Sequence, residues 1–219
     1  MKITIVAATG GVGRHLLGQA IDAGHDVTAV VRNPAKLDRE VRHVTTDLGR
    51  PDAAALEAAV AGADAVLSGL GSAPGQEGVA WRGTQAIVDA MRAQGTRRIM
   101  AISAAPVAGV SAPGRPVPRH APGEGPIMRN VLTPLLRTIL RKEYADLARM
   151  EAVLAGSDLD WTVVRPPQLT DKPATHAYRT ALGANLPRGL KISRADLAHA
   201  MLGMLTDQNT IKQYVAVAY

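Results

Sequence analysis

Short apolar runs alternate with longer amphipathic stretches along most of this chain. The runs are rich in Val, Ile and Ala and bounded by turn residues, a pattern typical of buried strands; they lie at 2–7, 26–31, 41–45, 64–68, 97–103, 160–165 and 214–218. Helical periodicity occupies 12–23, 52–61, 80–95, 128–156 and 194–206. Because strands and helices alternate, we predict one α/β domain over residues 1–219, with a doubly wound, mostly parallel sheet of about seven strands and helices on both faces.

Two stretches interrupt this alternation. Residues 104–127 contain six prolines and four glycines, and residues 166–189 contain four prolines, so neither is expected to continue a helix or a central strand. We predict insertion loops at both places, each leaving the carboxyl end of a strand, where open parallel sheets bind ligands. Such loops would determine substrate specificity, although mobile connections without a binding role have the same composition.

The composition narrows the class of partners. The chain carries a net charge of +6. It contains no cysteine, and this absence excludes disulfides, thiolate catalysis and zinc–thiolate sites. Its basic residues mostly alternate with acidic ones and only 3% of residues are aromatic, so we expect no nucleic-acid partner. No apolar run approaches the roughly 20 residues of a membrane span, and the first strand begins too early to follow a signal peptide. We therefore expect a soluble, cytoplasmic protein with no membrane partner and no metal site.

The first strand opens directly into a glycine-rich turn. A helical stretch follows at once, and the turn between them consists of Thr9, Gly10, Gly11, Val12 and Gly13. Backbone without side chains can approach a pyrophosphate closely, and the N–H groups at the start of a helix attract an anion. Ala8 replaces the first glycine of the usual G-x-G-x-x-G pattern. The order of strand, glycine turn and helix predicts a dinucleotide site.

The end of the second strand bears on the choice of cofactor. It reads VVRNP and lacks the Asp or Glu that would bind the ribose hydroxyls of NAD. Arg32 stands there instead, and a guanidinium can fork onto a 2′-phosphate, so we expect NADP rather than NAD, with Lys36 as a candidate helper. A merely solvated arginine fits the same position. Asp47, after the third strand, is a candidate acceptor for the adenine amino group or an N-cap for the helix after Pro51.

Two more strand ends carry small residues. The fourth strand continues into Gly69, Leu70 and Gly71, whose backbone could pass close to the middle of the cofactor or simply serve the turn. Ser103 ends the fifth strand, and in a doubly wound sheet its hydroxyl would lie near the nicotinamide. The alternative is a buried serine satisfied by the backbone.

Two helices in the second half carry specific signals. Ser193 can cap the last helix, with Asp196 at the capping-box position. The helical stretch at 128–156 contains Pro134, which starts or kinks a helix. The same stretch carries an apolar stripe that is wider than one packing face of a helix. The stripe would line a pocket, form a dimer contact or belong to the core. It consists of Leu132, Leu135, Leu136, Ile139 and Leu140.

Several longer motifs carry a family resemblance over nearly the whole chain. The most specific are ARMEAVLAGSDLDWTVVRPPQLTDKP at 148–173 and ISRADLAHAMLGMLTD at 192–207; AATGGVG at 7–13 and AGHDVTAVVRNPAKL at 23–37 add to them. With these motifs the chain resembles the atypical short-chain dehydrogenase/reductases, and among them the biliverdin IXβ reductase/flavin reductase branch and NmrA-like proteins. The resemblance implies a Rossmann-like enzyme that transfers hydride from NADPH to a flat conjugated acceptor, such as a flavin or quinone.

The resemblance also implies which residues bind the cofactor. NADP would be held by 9–13, Arg32 and the turn of Asp47 and Leu48. The ribose and nicotinamide would be lined by 69–71 and by four further residues: Ser103, Ala104, Pro166 and Gln168. The expected partners are a planar small-molecule substrate and, at most, a second copy of the chain, as a monomer or homodimer.

Departures from the family pattern affect catalysis. The usual Y-x-x-x-K pair is incomplete, because Tyr144 is followed by Ala148 where lysine would stand. The histidines that the biliverdin/flavin branch carries near its substrate are replaced by Leu147 and Gln168. The remaining candidates for proton transfer are Ser103, Tyr144, His120 and His176, of which the two histidines also suit ordinary loop positions. An NADP-sensing regulator and a cofactor-dependent epimerase or dehydratase remain alternatives to a reductase.

Overall fold

A computed structural model describes residues 1–72, 75–113 and 133–219. Strands within these ranges are β1 (Lys2–Val6), β2 (Asp26–Val31), β3 (Arg42–Thr45), β4 (Ala65–Ser68), β5 (Arg98–Ile102), β6 (Asp160–Arg165), β7 (Gln168–Thr170), β8 (Arg179–Leu182), β9 (Lys191–Ser193) and β10 (Gln213–Ala218). All seven runs that the apolar pattern assigns to strands are strands. Only β7, β8 and β9 lie outside that prediction.

The helices of the described ranges are α1 (Gly13–Asp22), α2 (Ala53–Val60), α3 (Val79–Gln94), α4 (Thr133–Ile139), α5 (Arg141–Ala155) and α6 (Arg194–Gly203). Side-chain oxygens of Asp52 and Ser193 cap α2 and α6 by accepting from the backbone N–H groups of Ala55 and Asp196. The predicted Ser193 cap is therefore confirmed. α3 ends at Gln94 and is capped by Gly95, whose φ of 73° is left-handed, as is usual just after a helix C-terminus.

Eight strands form one sheet in the order β3-β2-β1-β4-β5-β6-β10-β8. Neighbouring strands are parallel throughout, except that β8 runs antiparallel to β10 at the edge. The chain winds outward from β1 in one direction and then from β4 in the other. The carboxyl ends of β1 and β4 thus meet at the switch point where such sheets bind ligands. The predicted doubly wound α/β fold is confirmed, with eight strands in place of about seven.

Helices cover both faces of the sheet. α1 and α6 pack together over one core, and α2, α3 and α5 cover the other. Residues of β1 alternate between the two, since Ile3 and Ile5 belong to the first core and Val6 to the second. No helix in the described part of the chain is long and apolar enough to cross a membrane.

The segment 166–189 is more regular than its prolines predict. β7 pairs in parallel with β9 in a small two-stranded sheet, and β8 extends the main sheet. Both pairings join segments that are far apart in sequence, so no local sequence pattern predicts them. Of the other predicted loop, 105–109 form a 3₁₀ turn and 114–127 lie outside the described residues.

The long helix predicted at 128–156 is two helices in the described part. α4 ends at Ile139 and α5 starts at Arg141, with Leu140 between them at φ −104° and ψ 34°. The apolar stripe also divides: Leu136 and Leu140 pack against the second core, whereas Leu135 and Ile139 are 54% and 66% exposed. Leu132 lies outside the described residues.

Candidate functional site

The glycine turn, residues 7–13, is shaped by close backbone contacts. Ala7 has a left-handed φ of 56°, and its carbonyl accepts from the N–H of Gly10 at 2.8 Å. That carbonyl lies so close to α1 that a Cβ on Gly13 would be 2.0 Å from its oxygen. A side chain at position 13 is therefore excluded, and the first turn of α1 sits directly against the end of β1.

The loop after β4 forms the second wall of this turn. The N–H of Gly69 donates to the carbonyl of Val6 at 3.0 Å, and a Cβ on Gly69 would lie 3.1 Å from the nitrogen of Gly13. Leu70, next in the chain, packs against α3, where a Cβ on Gly83 would be 2.9 Å from its side chain. The two predicted glycine segments, 9–13 and 69–71, are thus brought into contact at the sheet's switch point.

The donors in this cradle suit an anion. In the ranges that the structure describes, no carbonyl or side chain accepts from the N–H groups of Gly11 and Val12, which precede α1. Backbone donors at a helix N-terminus, one of them on a glycine, suit a pyrophosphate. The residues present therefore fit a dinucleotide, and 9–13 with Gly69 would hold its pyrophosphate.

The residues predicted at the adenosine end lie where the sequence places them, after β2 and β3. Arg32 is exposed and makes no ion pair within the described ranges, and Lys36 ends an exposed 3₁₀ turn capped by Asn33. Asp47 accepts from the N–H of Gly49 at 3.0 Å, so it shapes its own turn. The alternative of Asp47 as N-cap of α2 is wrong, because Asp52 makes that cap.

Leu48, the residue after Asp47, packs against α3 at the predicted adenosine end of the site. Leu48 is 8% exposed, and a Cβ on Gly83 would lie 3.2 Å from its Cβ. The N-terminus of α3 is held by Asp146 of α5, which accepts from the N–H groups of Gly78, Ala80 and Trp81 and from the hydroxyl of Ser72. Asp146 was missed by sequence reasoning, since its partners are 65 to 74 residues away.

Ser103 belongs to a buried side-chain network that the sequence did not predict. Its hydroxyl donates to Oε1 of Glu151 on α5 at 2.7 Å, and the Arg165 guanidinium clasps the same carboxylate at 2.9 and 2.6 Å. Glu151 is 0% exposed, and Arg165 lies over the ring of Tyr214, 3.8 Å from its centroid. We call Ser103, Glu151 and Arg165 the Ser103 network. The alternative of a buried serine satisfied by the backbone is right about burial, since Ser103 is 6% exposed, but wrong about the partner of its hydroxyl, which is a carboxylate.

The backbone around Ser103 joins the predicted nicotinamide residues. The N–H of Ser103 donates to Val164 at 2.8 Å and that of Ala105 to Pro166 at 2.9 Å, so the pairing of β5 with β6 continues past both strand ends. Ala104 and Pro166 therefore lie beside each other at the same sheet edge. Gln168 begins β7 and is exposed, and its N–H donates to Leu190 at 3.2 Å.

The other proton-transfer candidates have different surroundings. Burial raises the pKa of the Tyr144 phenol, which is 8% exposed, and Ala148 beyond it is fully buried. His176 lies against His199 of α6, with ring centroids 4.3 Å apart, on the sheet face opposite α5. His120 lies outside the described residues. Within the described ranges, no group of three or more His, Cys, Asp and Glu side chains could hold a metal ion.

Curated relatives resemble this chain over about half to nearly all of its length. UPF0659 protein C216.03 of Schizosaccharomyces pombe is 30% identical over 95% of this chain and 87% of its own. YhfK of Bacillus subtilis, an uncharacterized sugar epimerase by name, is 28% identical over 96% and 90%. The uncharacterized protein YwnB of Bacillus subtilis is 31% identical over 113 residues, 48% of each chain.

Solved structures share the fold. A short-chain dehydrogenase/reductase of Veillonella parvula in complex with NADP superposes with a TM-score of 0.78 at 21% identity, over 100% of this chain and 94% of that one. A protein of Streptococcus pneumoniae provisionally named an NADH-flavin reductase gives 0.76 at 21% identity, over 100% and 99%. The family described as NAD(P)H-binding matches residues 7–208. With its Rossmann-like sheet and glycine cradle, this chain belongs to the NAD(P)H-binding family.

Proposed function

We propose that this protein is an NADPH-dependent reductase of a flavin, a quinone or a similar planar conjugated acceptor. The observation that carries the proposal is the direction of the Ser103 hydroxyl, which donates its proton to the buried Glu151. Because its one hydroxyl proton is bonded to Glu151, Ser103 can accept a hydrogen bond but cannot donate one to a developing alkoxide. The second usual donor is also unsupported, because Tyr144 has Ala148 in place of a lysine.

Planar redox acceptors do not need such donors. When bound, NADPH supplies a hydride, and a flavin or quinone takes up that hydride and a proton from water as NADP⁺ is released. The charge of the reduced ring is delocalised, so the protein's part is to orient the two rings and exclude water between them.

The preference for NADP rests on Arg32. It stands at the end of β2, where an acidic side chain would bind the ribose hydroxyls of NAD, and it is exposed without an ion-pair partner in the described ranges. A bidentate guanidinium is suited to a 2′-phosphate. The Veillonella parvula relative of this fold binds NADP, which supports the same choice.

The test compares acceptors and variants by NADPH oxidation at 340 nm, the absorbance of the reduced nicotinamide. FMN, FAD, menadione and a short-chain ubiquinone are assayed beside a panel of aldehydes and ketones. We expect turnover with a flavin or quinone, and Ser103→Ala and Tyr144→Phe should keep that rate within about fivefold, because neither hydroxyl delivers a proton.

The opposite pattern would refute the proposal. Carbonyl reduction that falls by about a thousandfold in Tyr144→Phe would show ordinary acid catalysis. Sugar conversion without net NADPH consumption would instead favour an epimerase, the activity in the name of YhfK. NADP binding without turnover on any acceptor would favour a sensor.

A further inference from the structure

A single arginine from the far end of the chain lies on the glycine turn. Arg194, the first residue of α6, reaches across so that its Nε and Cδ would be 2.9 and 3.2 Å from a Cβ on Gly11. Its guanidinium carbon would be 3.8 Å from that position. Because Gly11 has no side chain, the side chain of Arg194 can pack directly against its backbone.

Several contacts hold Arg194 in this place. Ser193 caps α6 immediately before it, and the carbonyl of Ala195 immediately after it accepts from Gln19 of α1 at 2.9 Å. Arg194 itself is paired through Nη1 with Asp171 at 2.7 Å. The backbone of α6 is thereby tied to α1, and the guanidinium is positioned before any ligand arrives.

The surroundings of the turn are cationic. Arg14, the second residue of α1, lies 3.8 Å from the same Asp171 oxygen, so two guanidiniums share one carboxylate. The pKa of His15 is lowered, first by its partial burial and then by the charge of Arg14, with Arg194 contributing in the same direction. This end of α1 thus has positive charge in excess, beside the N–H groups of Gly11 and Val12 that have no acceptor in the described ranges.

We propose that Arg194, which lies against Gly11, binds the pyrophosphate of the cofactor beside the glycine turn, with Asp171 holding the guanidinium in place until the cofactor arrives. This inference rests on the proposed cofactor site, and it adds a residue about 180 positions away from the glycine motif to the binding site. Asp171 is 71% exposed on its side chain, so its pairing with Arg194 is weakened by solvent and can give way to a doubly charged ligand. Because Asp171 follows β7, the proposal also couples the 166–189 segment to cofactor binding.

The experiment measures binding by isothermal titration calorimetry, with NADPH, NADH and ADP-ribose as probes. All three contain the pyrophosphate, and only NADPH contains the 2′-phosphate. Arg194→Ala should weaken all three by about tenfold, the usual effect of losing a charge-assisted hydrogen bond. Arg32→Ala should weaken NADPH alone and abolish its preference over NADH. Asp171→Asn, which releases Arg194 from its counter-ion, should tighten all three about twofold.

Arg39→Ala is the matched control. Arg39 pairs with Asp22 at the other end of α1, so this variant removes the same charge from an exposed ion pair away from the turn, and all three affinities should stay unchanged. Arg194→Lys should recover part of the affinity if the charge matters, and thermal unfolding of each unliganded variant checks that it folds.

Two results would overturn the role of Arg194. One is ADP-ribose affinity within twofold of wild type in Arg194→Ala; the other is a loss confined to NADPH, which would move Arg194 to the 2′-phosphate. Failure of the proposed reductase activity is distinguishable, because it would appear as absent turnover in a wild-type protein that still binds ADP-ribose through Arg194. A wild type that binds none of the three probes would refute both proposals.

Discussion

The glycine turn and the Ser103 network follow the carboxyl ends of β1 and β5, with β4 between them, and are built in opposite ways. The turn depends on missing side chains, since the carbonyl of Ala7 occupies the space where Gly13 would carry a Cβ. The network depends on charged side chains that complete one another, with Glu151 buried between Ser103 and Arg165. A site of the first kind tolerates no added atoms, whereas a site of the second kind tolerates no lost partner.

The largest effect should come from removing the cation of the Ser103 network. Arg165→Met leaves the fully buried Glu151 without its guanidinium, and breaking a buried pair from one side typically costs about 3–5 kcal/mol. Urea unfolding at pH 7 measures the loss. The double variant Arg165→Met/Glu151→Leu should be more stable than the single one, because it removes both charges of the ion pair.

An exposed ion pair provides the control for that variant. Arg42 pairs with Asp26 at 3.2 Å, but the two side chains are 66% and 47% exposed, so Arg42→Met should cost less than about 1 kcal/mol. If Arg165→Met and Arg42→Met lowered the free energy of unfolding equally, the buried Glu151 carboxylate would not depend on Arg165 for its stability.

The same contrast explains what sequence could and could not predict. The glycine turn was predictable because its strand, turn and helix are contiguous, and Arg32 and Asp47 follow from their places after β2 and β3. The Ser103 network was not, because Glu151 lies 48 residues beyond Ser103 and its helical neighbours give no sign that it is buried beside a serine. Only the fold brings them together.

The sequence did not predict β8 and β9 for the same reason, since both depend on pairing with distant segments. RTAL in β8 lacks an apolar alternation, and β8 is a strand only because β10 offers its edge. KIS in β9 is too short to be recognised and pairs with β7, 23 positions earlier. Arg194 was missed as a neighbour of the turn, although the SRAD motif that contains it was recognised, because a motif does not say which distant glycine its arginine contacts.

The next prediction tests the turn with two glycines of one helix. Gly13→Ala would place a Cβ 2.0 Å from the Ala7 carbonyl, and relieving this clash means shifting α1 from β1; we expect a loss of about 3 kcal/mol. Gly18, five residues later in α1, has nothing within 4 Å of its Cβ position. Gly18→Ala should therefore stabilise the protein by roughly 0.5–1 kcal/mol, since alanine favours helix.

Urea unfolding of both variants, with ADP-ribose titration of each, checks this pair. Gly13→Ala should also bind ADP-ribose more weakly, whereas Gly18→Ala should bind it as wild type does. A Gly13→Ala protein as stable as wild type would mean that backbone contact does not determine the shape of the turn.

A second buried carboxylate, that of Asp196, refines the comparison, because Asp196 forms no ion pair with any residue that the structure describes. Burial alone would raise the pKa of Asp196, but hydrogen bonds from the Tyr219 hydroxyl, the His176 and Thr175 N–H groups and the Thr175 hydroxyl outweigh it and lower that pKa to about 2. Neutral hydrogen-bond donors thus hold the Asp196 carboxylate, whereas the guanidinium of Arg165 pairs with that of Glu151. They also fix residues 175 and 176 and the chain's last residue to the start of α6.

The sign of the pH dependence follows from that lowered pKa. Unfolded Asp196 titrates near its ordinary value of 3.8, so between pH 4 and 2 the unfolded chain binds the extra proton, and stability falls as the pH falls. The difference of nearly two pH units corresponds to about 2 kcal/mol, all present at pH 7. Asp196→Asn should be less stable than wild type by about this amount at pH 7, and the gap should narrow below about pH 4.

Asp158 is the control, since an exposed carboxylate tests whether burial matters. A hydrogen bond from Arg92 lowers the pKa of Asp158, but solvent surrounds the pair, whose side chains are 44% and 64% exposed. Asp158→Asn should therefore give a small stability difference that 0.5 M salt removes, while the difference for Asp196→Asn persists in salt. If salt removed both differences equally, Asp196 would be stabilised by long-range charge instead of its hydrogen bonds, and its contrast with the exposed Asp158 would be lost.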